Sequence, residues 1–177
     1  MTFDPQPVLE GKLLSLRPLR ADDVDALYAA ASDPLIWEQH PQPNRHEPEV
    51  FLAYFAEQLA SGGALIVHDA ETGEAIGLSR YHGYDPERSE VEIGWTFLAR
   101  RYWGGVYNRE LKDLMLAHAF RHVDNVVFLV GPENVRSRRA VEKIGAVEIG
   151  MRPGADGTPS VAYRIAADDF SSGLRNP

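Results

Sequence analysis

The 177-residue chain contains no cysteine, which rules out disulfide frameworks, thiolate zinc sites, iron–sulfur clusters and cysteine nucleophiles. It also lacks any apolar run near the ~20 residues that a membrane-spanning helix needs. Its opening, Met1-Thr-Phe-Asp-Pro5, has no basic patch followed by an apolar core, so the chain reads as cytoplasmic. Positive charge is scarce: 18 Lys and Arg stand against 26 Asp and Glu, a formal net charge of −8. A surface of that sign repels nucleic acid and anionic membranes, and neither is expected as a partner.

What is present is globular. With 44% hydrophobic and 25% charged residues, the chain can bury a core, and disorder is not supported. The length fits one domain, expected over 1–177 with its core at 9–170 and a frayed tail at 171–177.

Leu13 to Leu19 reads as a first strand. A helix follows in which Val24, Leu27, Tyr28 and Ala31 recur on one face. Asp33-Pro34 ends it, and a connector from Ile36 to His46 leads to a second helix that starts at Pro48 and stops at Gly62-Gly63. Ala64 to Val67 and Ala75 to Tyr84 read as a hairpin about Glu71-Thr-Gly73. In the strand Ser89 to Leu98, strict alternation puts Val91, Ile93, Trp95 and Phe97 on one face and Glu90, Glu92, Gly94 and Thr96 on the other. A third helix follows Trp103-Gly104-Gly105, and Val126 to Val130 is a β-branched run suited to a strand buried on both faces. The helix after Asn134 closes at Gly145, and Ala146 to Met151 with Ser160 to Ile165 form a last hairpin. Strand, helix, strand in this order implies a right-handed parallel crossover. The fold expected is therefore α/β: a mixed sheet of about seven strands, mostly antiparallel with one central parallel pair, and about four helices.

A helix that begins straight after a glycine loop presents unpaired N–H groups suited to phosphate oxygens. Trp103 to Asn108 forms such a junction, although the plain reading of Gly104-Gly105 is a tight turn. Neither a phosphate-loop lysine nor the dinucleotide fingerprint follows. The wider order of motifs adds to this: Gly11-Lys-Leu-Leu-Ser-Leu-Arg-Pro-Leu-Arg20, Asp33-Pro-Leu-Ile-Trp37, Glu92-Ile-Gly-Trp95, Tyr102-Trp-Gly-Gly105 and Asn134-Val-Arg-Ser-Arg-Arg-Ala-Val-Glu-Lys-Ile-Gly145. Together these resemble the GNAT superfamily of acetyl-CoA-dependent N-acetyltransferases, in particular the branch of ribosomal-protein N-terminal acetyltransferases.

The resemblance implies acetyl transfer from acetyl-CoA to a primary amine by direct attack, with no metal. It implies a splayed parallel strand pair that admits the pantetheine arm beside the backbone of Phe97 and Leu98. The pyrophosphate would lie on the main-chain amides of Trp103, Gly104, Gly105, Val106, Tyr107 and Asn108; Val106 and Asn108 stand where the family places glycine and glycine or alanine. Asn134 would contact the pantetheine, and Arg139, in the cluster Arg136, Arg138 and Arg139, the 3′-phosphate. The acceptor would be an amine-bearing small molecule or a protein N-terminus, and a homodimer stays open. A non-catalytic acyl-CoA sensor or scaffold of the same fold is the alternative.

Amine acetylation needs a base, because a protonated amine has no lone pair. Glu92 is the candidate, with Glu90 and His82 behind it; the competing reading is that both carboxylates only solvate a sheet face. Ser137 opens the turn after Asn134 either as a helix-start residue or as the acid for the departing thiolate. The family's tyrosine for that role is replaced here by Val141. His118 and His122 read as packing residues. Trp37, His40, Tyr81 and His82 border the acceptor side or pack the core.

Overall fold

A computed structural model of the chain describes residues 2–171. One mixed sheet runs through it, built from β1 (Leu9–Glu10), β2 (Leu14–Pro18), β3 (Ala64–Asp69), β4 (Ala75–Asp85), β5 (Glu90–Leu98), β6 (Asn125–Val130), β7 (Val147–Pro153) and β8 (Pro159–Ala166). Their spatial order is β1-β2-β3-β4-β5-β6-β8-β7, and β5 with β6 is the parallel pair. The helices are α1 (Val24–Ala31), α2 (Pro34–Trp37), α3 (Pro48–Ala60), α4 (Val106–Ala119), α5 (Val135–Lys143) and α6 (Ala167–Ser171). The expected frayed tail, 171–177, lies outside the described residues apart from Ser171, which closes α6.

The described residues form eight strands in one sheet and six α-helices, against about seven and four expected. The additions are short. β1 has two residues, α2 four and α6 five, too few to show a period in the sequence. Asp33-Pro34 both ends one helix and starts the next: Asp33 Oδ1 accepts the N–H of Leu35 at 3.0 Å, and Pro34 occupies the first turn, where its missing N–H costs nothing.

Two apolar layers hold the sheet. Leu27, Ala31, Phe51, Phe55, Ile66 and Leu78 pack α1 and α3 on one face. Leu16, Leu65, Ile93, Leu111, Met115 and Tyr163 pack α4 on the other, joined by Val141 and Ile144 from the α5 segment. Tyr81 crosses this layer to donate its hydroxyl to the Met115 carbonyl at 2.6 Å.

The alternation expected along β5 holds only to Gly94. Leu78 pairs with Phe97 and Arg80 with Gly94, so β5 carries one extra residue there, and Trp95 has a φ of 54°. This bulge reverses the facing. Val91, Ile93 and Leu98 join the α4 layer, whereas Trp95 and Phe97 join the α1/α3 layer. The single apolar stripe of Val91, Ile93, Trp95 and Phe97 is thus corrected. An isolated glycine before a strand tryptophan, as in Gly94-Trp95, is the sequence signal of such a bulge.

Candidate active site

The parallel pairing of β5 with β6 ends early. Only Glu90, Val91 and Glu92 have partners, Asn125, Val126 and Val127, yet β5 continues to Leu98 and β6 to Val130. The strands diverge beyond Glu92 and open a gap through the sheet. Two clefts meet at it, of about 750 Å³ and 780 Å³. Thr96, Asn108, Ser137 and Ala140 line both.

The second cleft contains the glycine loop. Gly104 and Gly105 have φ of 115° and 101°, a region that side chains with a β-carbon rarely adopt, so glycine is required at this turn. A β-carbon on Gly105 would also lie 2.6 Å from Lys143 Nζ. Gly104, Gly105 and Val106, where the 14-residue α4 begins, line the cleft, and a helix N-terminus favours anions. Val106 is helical, outside the positive-φ residues, and its side chain is exposed. The main-chain path at the start of α4 thus needs no glycine at that position.

Phe97, Leu98, Trp103, Val106, Asn108 and Arg139 also line this cleft. The Leu98 carbonyl accepts the Trp103 indole N–H at 2.9 Å, which fixes the loop to the end of β5. Tyr107 turns away: its hydroxyl bonds Asp69 at 3.1 Å and its ring packs on Tyr102, leaving only its main chain at the loop. Asn134 caps α5, its Oδ1 accepting the Ser137 N–H at 3.2 Å, and lines the first cleft. The three arginines have separate fates. Arg136 bonds Glu38, and Arg138 donates to Tyr163 at 3.0 Å; Arg139 is exposed at the cleft wall. A phosphate-rich coenzyme with a long amide arm fits this combination of left-handed glycine turn, helix N-terminus, open strand edge and exposed arginine.

The first cleft holds the candidate acid–base groups. Glu92 lines it, and burial pushes its carboxyl up from 4.5 to about 7, with Arg80 opposing and Glu90 assisting the rise. Glu90 is paired elsewhere, accepting from Arg152 Nη1 at 2.8 Å. His82 is held by Arg80 Nη2 at 3.2 Å, and burial and that guanidinium lower its pKa. Arg80 lies 3.8 Å over the Trp95 ring, so the bulge residue and the cation hold each other in place. His40 also lines the cleft; burial, then Arg45, lowers its pKa to about 3, so it is neutral at pH 7. Trp37 is buried and donates to the Ala31 carbonyl at 2.8 Å. His118 is a packing residue, bonded to the Asp4 carbonyl at 2.7 Å with His122 and Phe3 beside it.

One residue at the gap escaped the sequence reading. Lys112 is buried on α4, its Nζ hydrogen-bonded to Thr96 Oγ1, and burial alone lowers its pKa to about 7. Its signal was a polar pair, Asn108 and Lys112, spaced by one turn on a helix apolar around much of its circumference.

No curated protein sequence matches this chain. Solved structures do. An acetyltransferase from Agrobacterium tumefaciens str. C58 is 26% identical over 90% of this chain and 94% of its own, with a TM-score of 0.67. A GCN5-related N-acetyltransferase from Brucella melitensis (20% identity, 94% and 81% covered, TM-score 0.79) shares the fold. So does Mycobacterium smegmatis RimJ in complex with CoA-disulfide (20%, 96% and 94%, TM-score 0.65). The sequence pattern of the GNAT acetyltransferase domain matches residues 14–147, from the start of β2 to the start of β7, and so spans the diverging strands β5 and β6, the glycine loop, α4 and α5: the chain belongs to the GNAT acetyltransferase family.

Proposed function

We propose that this enzyme moves the acetyl group of acetyl-CoA to a primary amine by direct attack, with Glu92 as the base. The observation that carries this reading is a carboxyl shifted to about 7, placed beside a strand gap that joins a phosphate-type cradle to a second cleft. A base whose pKa lies near the working pH combines a usable ionised fraction with real proton affinity. Gly104, Gly105 and the amides at the start of α4 would hold the pyrophosphate, and Arg139 the 3′-phosphate. The open edge of β5 beyond Glu92 would pair with the pantetheine amides, with Asn134 and Ser137 beside the arm.

The acceptor reading follows from charge and shape. The first cleft is bordered by Glu38, Glu57, Glu92, Glu133 and Asp156, with Trp37 and Trp95 among its aromatic groups. Acidic and aromatic walls favour a cationic amine, small or at a protein N-terminus. Binding of CoA-disulfide by a protein of the same fold supports the donor assignment. The test is free-thiol release from acetyl-CoA across a panel of polyamines, amino acids, aminoglycosides and peptide N-termini. Thiol release that depends on one acceptor class supports the reading. CoA binding without release to any amine would instead make the chain a sensor.

A further inference from the structure

Lys112 is 3% exposed and stands on the α4 side of the gap, whereas Glu92 belongs to the first cleft. Lys112 lines that cleft too, with Ser137 and Phe128. Among the described residues its Nζ has one hydrogen bond, to Thr96 Oγ1, and Thr96 is anchored by Ser79 Oγ at 2.8 Å. The Phe128 ring centroid is 5.7 Å away. An ammonium has three donors, so two remain for whatever occupies the gap. Charged groups border the site from every side: Glu92 on β5, Arg80 and His82 on β4, Glu57 on α3, His40 and Arg45 in the connector, Arg139 on α5, Glu133 before it, Asp156 between β7 and β8, and Glu110 and Asp113 on α4 itself. None of them accounts for the state of Lys112, which burial alone determines.

An amine buried with no counter-ion among the described residues is costly and needs a use. Breaking a thioester leaves charge on sulfur, and the two clefts meet beside this amine. We propose that Lys112, in its ammonium form, is the acid that protonates the departing thiolate, opposite Glu92 across the gap between β5 and β6. The proposal rests on the acetyl-transfer reading above.

The protons balance. Glu92 takes one proton from the acceptor ammonium, and the neutral amine forms a C–N bond to the thioester carbonyl carbon. The C–S bond breaks with its electron pair on sulfur, and the nitrogen loses its second proton to solvent by way of the regenerated Glu92. Lys112 passes one proton to sulfur and regains one from solvent. Acceptor ammonium and thioester thus become amide, thiol and one released proton. Lys112, protonated below about 7, and Glu92, ionised above about 7, should then confine kcat/KM to a narrow bell centred near neutrality.

The test compares the wild type with Lys112→Met and Ser137→Ala. Methionine keeps the length and removes the buried charge, so Lys112→Met is expected to melt no lower than the wild type. Its kcat should fall about tenfold, with the KM for acetyl-CoA little changed and the alkaline limb of the bell lost. A second readout needs no turnover: thiolate absorbance of bound CoA. Next to an ammonium the bound thiol should ionise at lower pH than free CoA, and Lys112→Met should abolish that difference. Bound CoA with the same thiolate titration in both proteins overturns the assignment, as does Ser137→Ala carrying both effects. Failure of the wild type to bind CoA, or to release thiol to any amine, overturns the acetyl-transfer reading itself and is distinguishable from either result.

Discussion

The Glu110 carboxylate occupies the space that a β-carbon on Gly11 would need, its Oε2 lying 2.6 Å from that position. The same carboxylate accepts the N–H groups of Lys12, Leu13 and Leu14 at 3.0, 2.7 and 3.0 Å. One side chain thereby ties the first turns of α4 to the start of β2. Gly11→Ala should displace it and lower stability by about 2 kcal/mol, and Glu110→Ala should cost a similar amount. Because both changes break the same contacts, the double variant should lose clearly less than the sum, measured by urea unfolding.

Gly105 tests the cradle. Its φ of 101° and the Lys143 amine beside it make a β-branched residue strained there by about 1–2 kcal/mol. CoA should raise the melting temperature of the wild type by mass action, and NAD or ATP at equal concentration should do much less. Gly105→Val should remove most of the CoA shift while far-ultraviolet circular dichroism stays native. An undiminished shift would disprove the cradle.

Glu92→Gln should lower kcat more than it weakens CoA binding, since a base acts in the transition state. Its effect on stability has a definite sign. The folded-state pKa lies above 4.5, at about 7, so the folded protein binds more protons than the unfolded chain between those values and wild-type stability falls as pH rises through that window. Glu92→Gln removes this loss and should melt above the wild type at pH 8 but not at pH 4. For Lys112 the folded pKa falls from 10.5 to about 7, so the unfolded chain holds the extra proton between them. Lys112→Met should therefore gain most below pH 7 and converge with the wild type above about 10.5.

Arg139 is expected to read the 3′-phosphate. Dephospho-CoA should bind more weakly than CoA, and Arg139→Ala should weaken CoA several-fold, about 1 kcal/mol, while leaving dephospho-CoA nearly unchanged. Added salt should shrink the difference. Equal losses for both ligands in isothermal titration would assign the side chain to another phosphate or to the helix.

The long elements were legible because each repeats a period. Val126 to Val130 announced a strand buried on both faces, and Val24, Leu27, Tyr28 and Ala31 a helix face. Their order alone implied the parallel crossover of β5 and β6, which places the gap. The bulge at Trp95 was hidden because binary alternation of Val91, Ile93, Trp95 and Phe97 is satisfied by the sequence; a single positive φ decides the face, and long-range contact with Arg80 stabilises it. The direction of the Tyr107 side chain, toward Asp69 and Tyr102, was not legible, since helical phase at a helix start depends on where the glycine turn ends. Lys112 was invisible because lysine in a helix ordinarily signals solvent, and only the neighbouring strands bury it.

Arg136 has a consequence for the order of events. It donates from its backbone to Gln39 Oε1 at 3.0 Å, from its guanidinium to the Leu35 carbonyl at 3.1 Å and to Glu38 at 2.6 Å, and lies 4.4 Å over the Trp103 ring. A single residue thus clasps the segment bordering one cleft to the loop of the other. A coenzyme seated on the glycine loop, as proposed above, would restrain Trp103 and, through Arg136, the 35–39 segment before any amine arrives. Steady-state kinetics should accordingly follow a compulsory sequence, with the coenzyme first to enter and last to leave, and Arg136→Ala should relax it toward random addition.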